Sequence, residues 1–328
     1  MLNIVDSLLD RITMYRLVLY YLIVLLGVAF LLSLFGILTY SPLGILFNAV
    51  FLTVVCYIAN KTFAYVFEVP ANIESVYITA LILACIISPF RTIHDLPMLG
   101  FAGMLAIASK YILALRKKHI FNPVAIGVAL TAIGFGGLAS WWVGNAWLTP
   151  FIVIGGLLVV RKTRREYMVW TFIAVAIAVV LLFTILNGSS LSTALNQILL
   201  HSSFFFFAFV MFTEPLTTPP TLSLQMTYAV LVGVLFPPQV HIGSLYLTPE
   251  LALVIGNVYS YLVSPKQRLI LRLKEKIQLG PDIIDFVFTS TEQLTFTPGQ
   301  YMEWTLKHPH TDSRGNRRYF TLASSPTE

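Results

Sequence analysis

Three groups of residues in this chain could do chemistry. The first is Arg318-Tyr319-Phe320-Thr321, preceded about 20 residues earlier by Pro298-Gly299-Gln300-Tyr301. Residues two apart on a strand face the same way, so Arg318 and Phe320 would set a cation beside an aromatic ring. The second group is a pair of proline motifs, HIFNPVAIG at 119–127 and FVMFTEPLTTPPT at 209–221. Each sits at the edge of an apolar run, and Glu214 brings an ionisable group there, a default functional candidate near a membrane span. A blander reading also stands: Asn122-Pro123 suits a helix start, because proline is favoured in the first turn, and Glu214-Pro215 suits a solvated helix end. The third group is the polar stretch Asn187-Gly188-Ser189-Ser190-Leu191-Ser192-Thr193. Cys56 and Cys85 lie inside apolar runs with no metal-ligand spacing partner, and read as small buried hydrophobes.

The elements that must position these residues are mostly membrane spans. The chain has 328 residues, 57% hydrophobic and 11% charged, against roughly 25% charged in soluble proteins. Its mean hydropathy is +0.80. A water-soluble core of this size does not absorb so much apolar surface, whereas a bilayer does. Apolar runs fall at about 17–38, 43–66, 73–90, 96–115, 121–138, 147–160, 167–186, 197–213, 224–238 and 249–263. Several are shorter than the roughly 20 residues of a full span, as is tolerated where backbone lines a cavity inside the protein. Ten spans put both termini on one side. If that side is the cytoplasm, the inner segments hold Arg11, Arg16, Lys61, Arg116, Lys117, Lys118, Arg161, Lys162, Arg164, Arg165, Lys266 and Arg268, while Arg91 stands alone outside. That is a strong positive-inside bias. The sequence therefore predicts a multi-pass protein of the plasma or inner membrane with both termini cytoplasmic. The net charge of +6 belongs to these loops, so nucleic acid is not an expected partner. No cleavable signal peptide is visible. Ten spans could also be two inverted five-span halves, although no internal sequence repeat is evident.

Composition changes at Ser264-Pro265. Beyond it, alternation predicts strands at about 268–278, 283–290 and 300–307, with turns at Gly280-Pro281 and Pro298-Gly299. The expected fold class is thus a polytopic α-helical domain over 1–264 and the first strands of an antiparallel β-barrel over 265–328. Three or four strands do not close a barrel, so the chain is expected to be part of a longer protein.

The segment FTPGQYMEWTL…RRYFTLASSPTE resembles the FAD-binding domain of the ferredoxin–NADP reductase superfamily. The family pattern is Arg, any residue, an aromatic, then Ser or Thr, met here by Arg318, Tyr319, Phe320 and Thr321. Phe320 stands where Tyr is usual, which removes a hydroxyl and keeps the ring face. The resemblance implies that Arg318 pairs with the FAD pyrophosphate, where a guanidinium fork suits phosphate oxygens. It implies that Phe320 packs on the isoalloxazine and that Thr321 hydrogen-bonds near the reactive nitrogen. NAD(P)H would be the hydride donor, through a domain outside this chain.

The proline motifs, with the ten-span count, resemble the D subunit of Rnf-type electron-transport complexes and, equally, the B subunit of the sodium-translocating NADH:quinone reductase. Related subunits carry similar Phe-Asn-Pro and Thr-Asp-Pro segments; Glu214 here replaces the Asp. That family attaches FMN through a phosphodiester to a Thr in an outer loop, in a motif running Asp, two residues, Ser, Gly, Ala, Thr. Ser190 and Thr193 fit it; Asn187, Leu191 and Ser192 depart from it. Thr193 is the FMN candidate on that match alone, a plain polar loop is the favoured alternative, and no fluorescent flavin band is expected on a denaturing gel. A noncovalent flavin or quinone could be lined by Phe204–Phe207 and Trp141-Trp142, although such aromatics more often face lipid or the interface.

The resemblances together imply a membrane-bound flavoprotein oxidoreductase. Electrons would pass from NAD(P)H through FAD to a membrane cofactor, a quinone or an external electron-carrier protein. One alternative is a haem-dependent ferric reductase or NADPH-oxidase-like protein. Haem needs axial ligands such as facing His pairs, and no run holds two of His94, His119, His201 and His241; His308 and His310 lie beyond the runs. The other alternative is a ten-span transporter with a regulatory reductase-like module.

Overall fold

A computed structural model describes residues 6–7, 9–69, 73–115, 118–136, 139–243, 245–264, 269–290, 294–305 and 317–326. The chain divides into two compact units, Met1–Ser264 and Pro265–Glu328.

The first unit is helical: α1 (Met14–Leu34), α2 (Pro42–Val66), α3 (Ile73–Ile86), α4 (Leu96–Ile112), α5 (Pro123–Phe135), α6 (Thr149–Thr163), α7 (Glu166–Leu186), α8 (Leu191–Leu200), α9 (Phe204–Phe206, running into a π turn at Phe207–Met211), α10 (Leu222–Leu235) and α11 (Pro249–Val263). Two-residue hairpin strands, β1 (Ala114–Leu115) with β2 (Lys118–His119) and β3 (His241–Ile242) with β4 (Leu245–Tyr246), sit in the connections. Local chemistry explains where helices start. Thr13, Ser41, Asn122 and Thr248 each accept a backbone N–H from the first turn they precede. Proline opens α2, α5 and α11, where its missing N–H costs no hydrogen bond.

Each of the ten apolar runs holds helix, but three helices, α1, α2 and α7, are long and apolar enough by themselves to cross a membrane. The count rises to four if α8 and the Phe204–Met211 segment, bent by 52° about their break, form one span. The shorter elements end for identifiable reasons. Gly136 closes α5 in the left-handed conformation at φ 67°. The run at 73–90 leaves the helix at Ile86, ahead of Pro89. The outer faces fit lipid: Val24 is 60% exposed, Leu43 74% and Ile133 82%, a display of apolar surface that water does not tolerate over such an area. Inside, helices approach closely. A Cβ on Gly127 would meet the Ala106 backbone at 2.8 Å, so α4 and α5 touch main chain to side.

Among the described residues the second unit has four strands, three where alternation predicted them and a fourth that carries the Arg-Tyr-Phe-Thr motif. β5 (Leu271–Gln278) pairs antiparallel with β6 (Ile284–Ser290), with a register shift between Leu273 and Glu275. β7 (Tyr301–Thr305) pairs antiparallel with β8 (Arg317–Thr321). Lys266, Arg268, His308 and His310 lie outside the described residues, as do Arg116 and Lys117 of the expected inner cluster.

Candidate functional site

In the helical unit the two proline motifs meet. Asn122 caps α5 through its Oδ1, which accepts from Ala125 N at 3.0 Å. That leaves its amide Nδ2 to donate to Glu214 Oε2 at 2.8 Å. Thr217 Oγ1 donates to the same carboxylate oxygen at 3.2 Å, and Thr218 Oγ1 donates to the Glu214 carbonyl at 3.1 Å. Asn257, wholly buried on α11, joins the two loops. Its Oδ1 accepts from Asn122 N at 2.7 Å, and its Nδ2 donates to Thr217 O and to Tyr228 Oη, each at 3.3 Å. Tyr228 on α10 stacks on Phe212 at 4.9 Å and 7°.

The backbone around Glu214 is irregular by construction. The π turn Phe207–Met211 ends three residues before it, and such turns gather at functional sites. Phe172, Phe204, Phe207, Phe212 and Phe236 pack around the turn with ring centroids 4.8–6.1 Å apart. Nearby, Lys110 spends its three N–H groups on Ser75 O at 3.1 Å, Ser75 Oγ at 2.9 Å and Thr79 Oγ1 at 2.8 Å. Glu214 Oε2 is thus held by two donors, while no hydrogen bond to Oε1 is found among the described residues. A carboxylate oxygen so placed can take a proton or a hard cation.

Other expected residues lie elsewhere. Phe204, Phe206 and Phe207 are core residues, and so are Trp141 and Trp142, which corrects the expectation that they face lipid or the interface. Trp142 Nε1 donates to Ala84 O at 2.8 Å, and Trp141 Nε1 to the buried Glu250 Oε2 at 3.2 Å. The stretch leading to Thr193 is a loop only as far as Ser190. Thr193 lies in the first turn of α8, exposed, with its N–H donating to the Ser190 cap at 3.5 Å. The correction has a local cause: Ser190 caps the helix and Leu191 begins it. His94, His119, His201 and His241 all fall in connections between the long helices. Among the described residues no group of three or more His, Cys, Asp or Glu could hold a metal ion. Cys56 and Cys85 are buried free thiols.

In the second unit, pairing of β7 with β8 sets the two reductase-like motifs side by side. Tyr301 pairs with Thr321, Met302 with Phe320 and Trp304 with Arg318, and Leu322 N donates to Gln300 O at 3.0 Å. The Phe320 ring is 55% exposed and meets Trp304 edge-on at 6.5 Å. Trp304 in turn packs on Phe288 at 4.8 Å, and its Nε1 has no hydrogen-bond partner among the described residues. Nothing is described for the side chains of Arg318 and Tyr319.

Lys110, Tyr228, Glu250 and Asn257 were not picked out by sequence reasoning. The signal for three of them was present: Lys110, Glu250 and Asn257 are polar residues inside apolar runs, where such groups demand partners.

Fold and site together define a mostly helical chain suited to the membrane, with an internal polar cluster and a small antiparallel β unit. No protein-family model matches the sequence, and a search of curated proteins finds no significant match.

Proposed function

We propose that this chain supplies a membrane part and FAD-binding strands of a flavoprotein oxidoreductase. It would carry electrons from NAD(P)H through FAD to a membrane-domain cofactor, a quinone or an external carrier. In this reading the chain is of the kind of the Rnf D subunit or the sodium-translocating quinone reductase B subunit, joined to a ferredoxin–NADP reductase-type domain, on the strength of the proline motifs and the Arg-Tyr-Phe-Thr segment. The ten apolar runs act as ten spans in a plasma or inner membrane, with both termini in the cytoplasm, an arrangement supported by the charge bias of the connections.

The observation that carries the flavin assignment is the β7–β8 pairing. It aligns Tyr301 with Thr321 and Met302 with Phe320, so the Pro-Gly-Gln-Tyr and Arg-Tyr-Phe-Thr segments form one surface. Phe320 offers an open ring face there, and the Trp304 N–H, without a partner among the described residues, offers a donor. FAD, once bound, supplies the conversion of a hydride pair into single electrons. Phe320 would pack against the ring system, Thr321 would hydrogen-bond to it and Arg318 would pair with the pyrophosphate.

Arg318→Ala in the full protein tests this assignment. Loss of one charge-assisted phosphate contact should weaken FAD retention about tenfold, read as bound FAD per protein after gel filtration. Unchanged FAD content contradicts the role given to Arg318.

Glu214 favours a second reading, a transporter with a regulatory reductase-like module. Its carboxylate is anchored through Oε2 by two helical loops. Flavin-independent solute or proton flux in vesicles, abolished in Glu214→Gln, would support that reading over the first.

A further inference from the structure

We propose that the groove between the start of α2 and the Pro89–Arg91 connection binds one anionic phospholipid. The groove is an open depression of about 760 Å³. One wall is a stripe of α2, Leu43, Leu46, Phe47 and Val50, spaced so that the four share a helix face. The stripe is open: Leu43 is 74% exposed and Val50 54%. The other wall is Phe90, whose ring tilts against Phe47 at 4.4 Å. This contact is close because residue 44 is glycine; a Cβ there would strike the Phe90 carbonyl.

At the rim stands Arg91. Its guanidinium lies 5.8 Å from the Tyr40 ring centroid, and no carboxylate among the described residues forms a salt bridge with it. The acid that faces it, Asp95, spends Oδ2 on the backbone N–H groups of Arg91 and Thr92, each at 2.9 Å. Asp95 lends Arg91 a nearby negative charge, but no salt bridge among the described residues ties up the guanidinium, whose N–H groups can meet an anion. The groove also shares Thr39 and Tyr40 with a second cleft of about 520 Å³, whose lining includes the polar Ser140, Asn145, His201 and Ser203.

An apolar trough, a cation at its mouth and a polar cleft beyond match the order of groups along a phospholipid. The acyl chains lie along the α2 stripe, the phosphate meets Arg91, and the glycerol and headgroup hydroxyls enter the polar cleft. A zwitterionic headgroup would bring its own cation to Arg91, so an anionic one is favoured. The assignment depends on the bilayer setting and not on electron transfer.

Native mass spectrometry of the full protein, titrated in detergent with phosphatidylglycerol or phosphatidylcholine, tests it. The expected result is one phosphatidylglycerol held about tenfold more tightly than phosphatidylcholine, a preference removed by Arg91→Gln and unchanged by Lys61→Gln. Val50→Trp fills the trough while leaving Arg91 in place, and should weaken both lipids severalfold. Equal retention of the two lipids by the wild type overturns the proposal, as does a preference that survives Arg91→Gln. Should Arg91→Gln fail to fold, the wild-type preference and its response to Val50→Trp still decide.

Discussion

Residues Met1–Ser264 bury a set of polar groups within an apolar core and leave large apolar side chains exposed on the outside. Asn122, Asn257, Glu250 and Lys110 each find hydrogen-bond partners among the helices, while Val24, Leu43 and Ile133 face outward. In residues Pro265–Glu328 the described side chains are mostly exposed, apolar ones such as Leu273, Phe286 and Phe320 included. β5 begins with charge alternating with apolar side chains, Leu271, Arg272, Leu273 and Lys274, and the candidate functional groups lie on open strands. The contrast shows how differently function must be sought in the two. A polar residue in the first unit has been kept against a large desolvation cost, so its partners identify the site. In the second unit exposure is ordinary, and only the register that places two motifs together carries information.

The comparison predicts a graded set of effects. The largest is expected at Asn257. Replacement by Leu orphans the buried Asn122 N–H and the Thr217 carbonyl, and should cost about 2–4 kcal/mol in stability. A thermal midpoint in detergent within a degree of wild type would break the claim that the network is structural as well as chemical. Gly127→Val comes next. The added methyls must push α4 from α5, at a cost of about 1–3 kcal/mol, read as a lower midpoint and increased cleavage of the membrane unit by protease.

Smaller effects mark the unit's rim, where water returns. Glu74→Gln breaks the 2.9 Å ion pair with Arg16, whose side chains are 36% and 32% exposed. Screening limits the expected loss to about 1 kcal/mol or less, and 1 M salt should shrink it further. The smallest effect concerns pH. Asp95 lies in the connection before α4, and the backbone N–H groups of Thr92 and Arg91 hold its carboxyl below the usual range. A folded-state value below the unfolded one means the contribution is present above pH about 4 and is lost as pH falls through the lower, folded value. Asp95→Asn should flatten that part of the stability-versus-pH curve; an unchanged slope would show that the turn does not need the charge.

How far the sequence could be read follows the same divide. The apolar runs located the helices, since burial in lipid needs only composition and length. Their true ends were harder to see. The break at His201–Ser203 and the π turn at Phe207–Met211, around which several phenylalanines pack, carry no local sequence signal of the kind that marks a cap or a proline. Strand positions in the second unit followed from alternation, and β8 was visible only as a motif. At the site, Asn122 and Glu214 stood out because proline follows each. Asn257 did not, because nothing nearby in sequence indicates that its partners lie 135 and 40 residues away. The Trp141–Glu250 bond, spanning 109 residues, was hidden for the same reason. Thr193 was placed in a loop because hydroxyl-rich stretches favour turns, whereas here the hydroxyl of Ser190 starts a helix.

The most direct test is the absorbance spectrum of the full protein, purified from membranes in detergent, before and after addition of NADH. Flavin bands that bleach on reduction, with no Soret band, are the predicted result. A Soret band would make the protein a haem reductase, and the absence of any chromophore would contradict the electron-transfer assignment and favour transport.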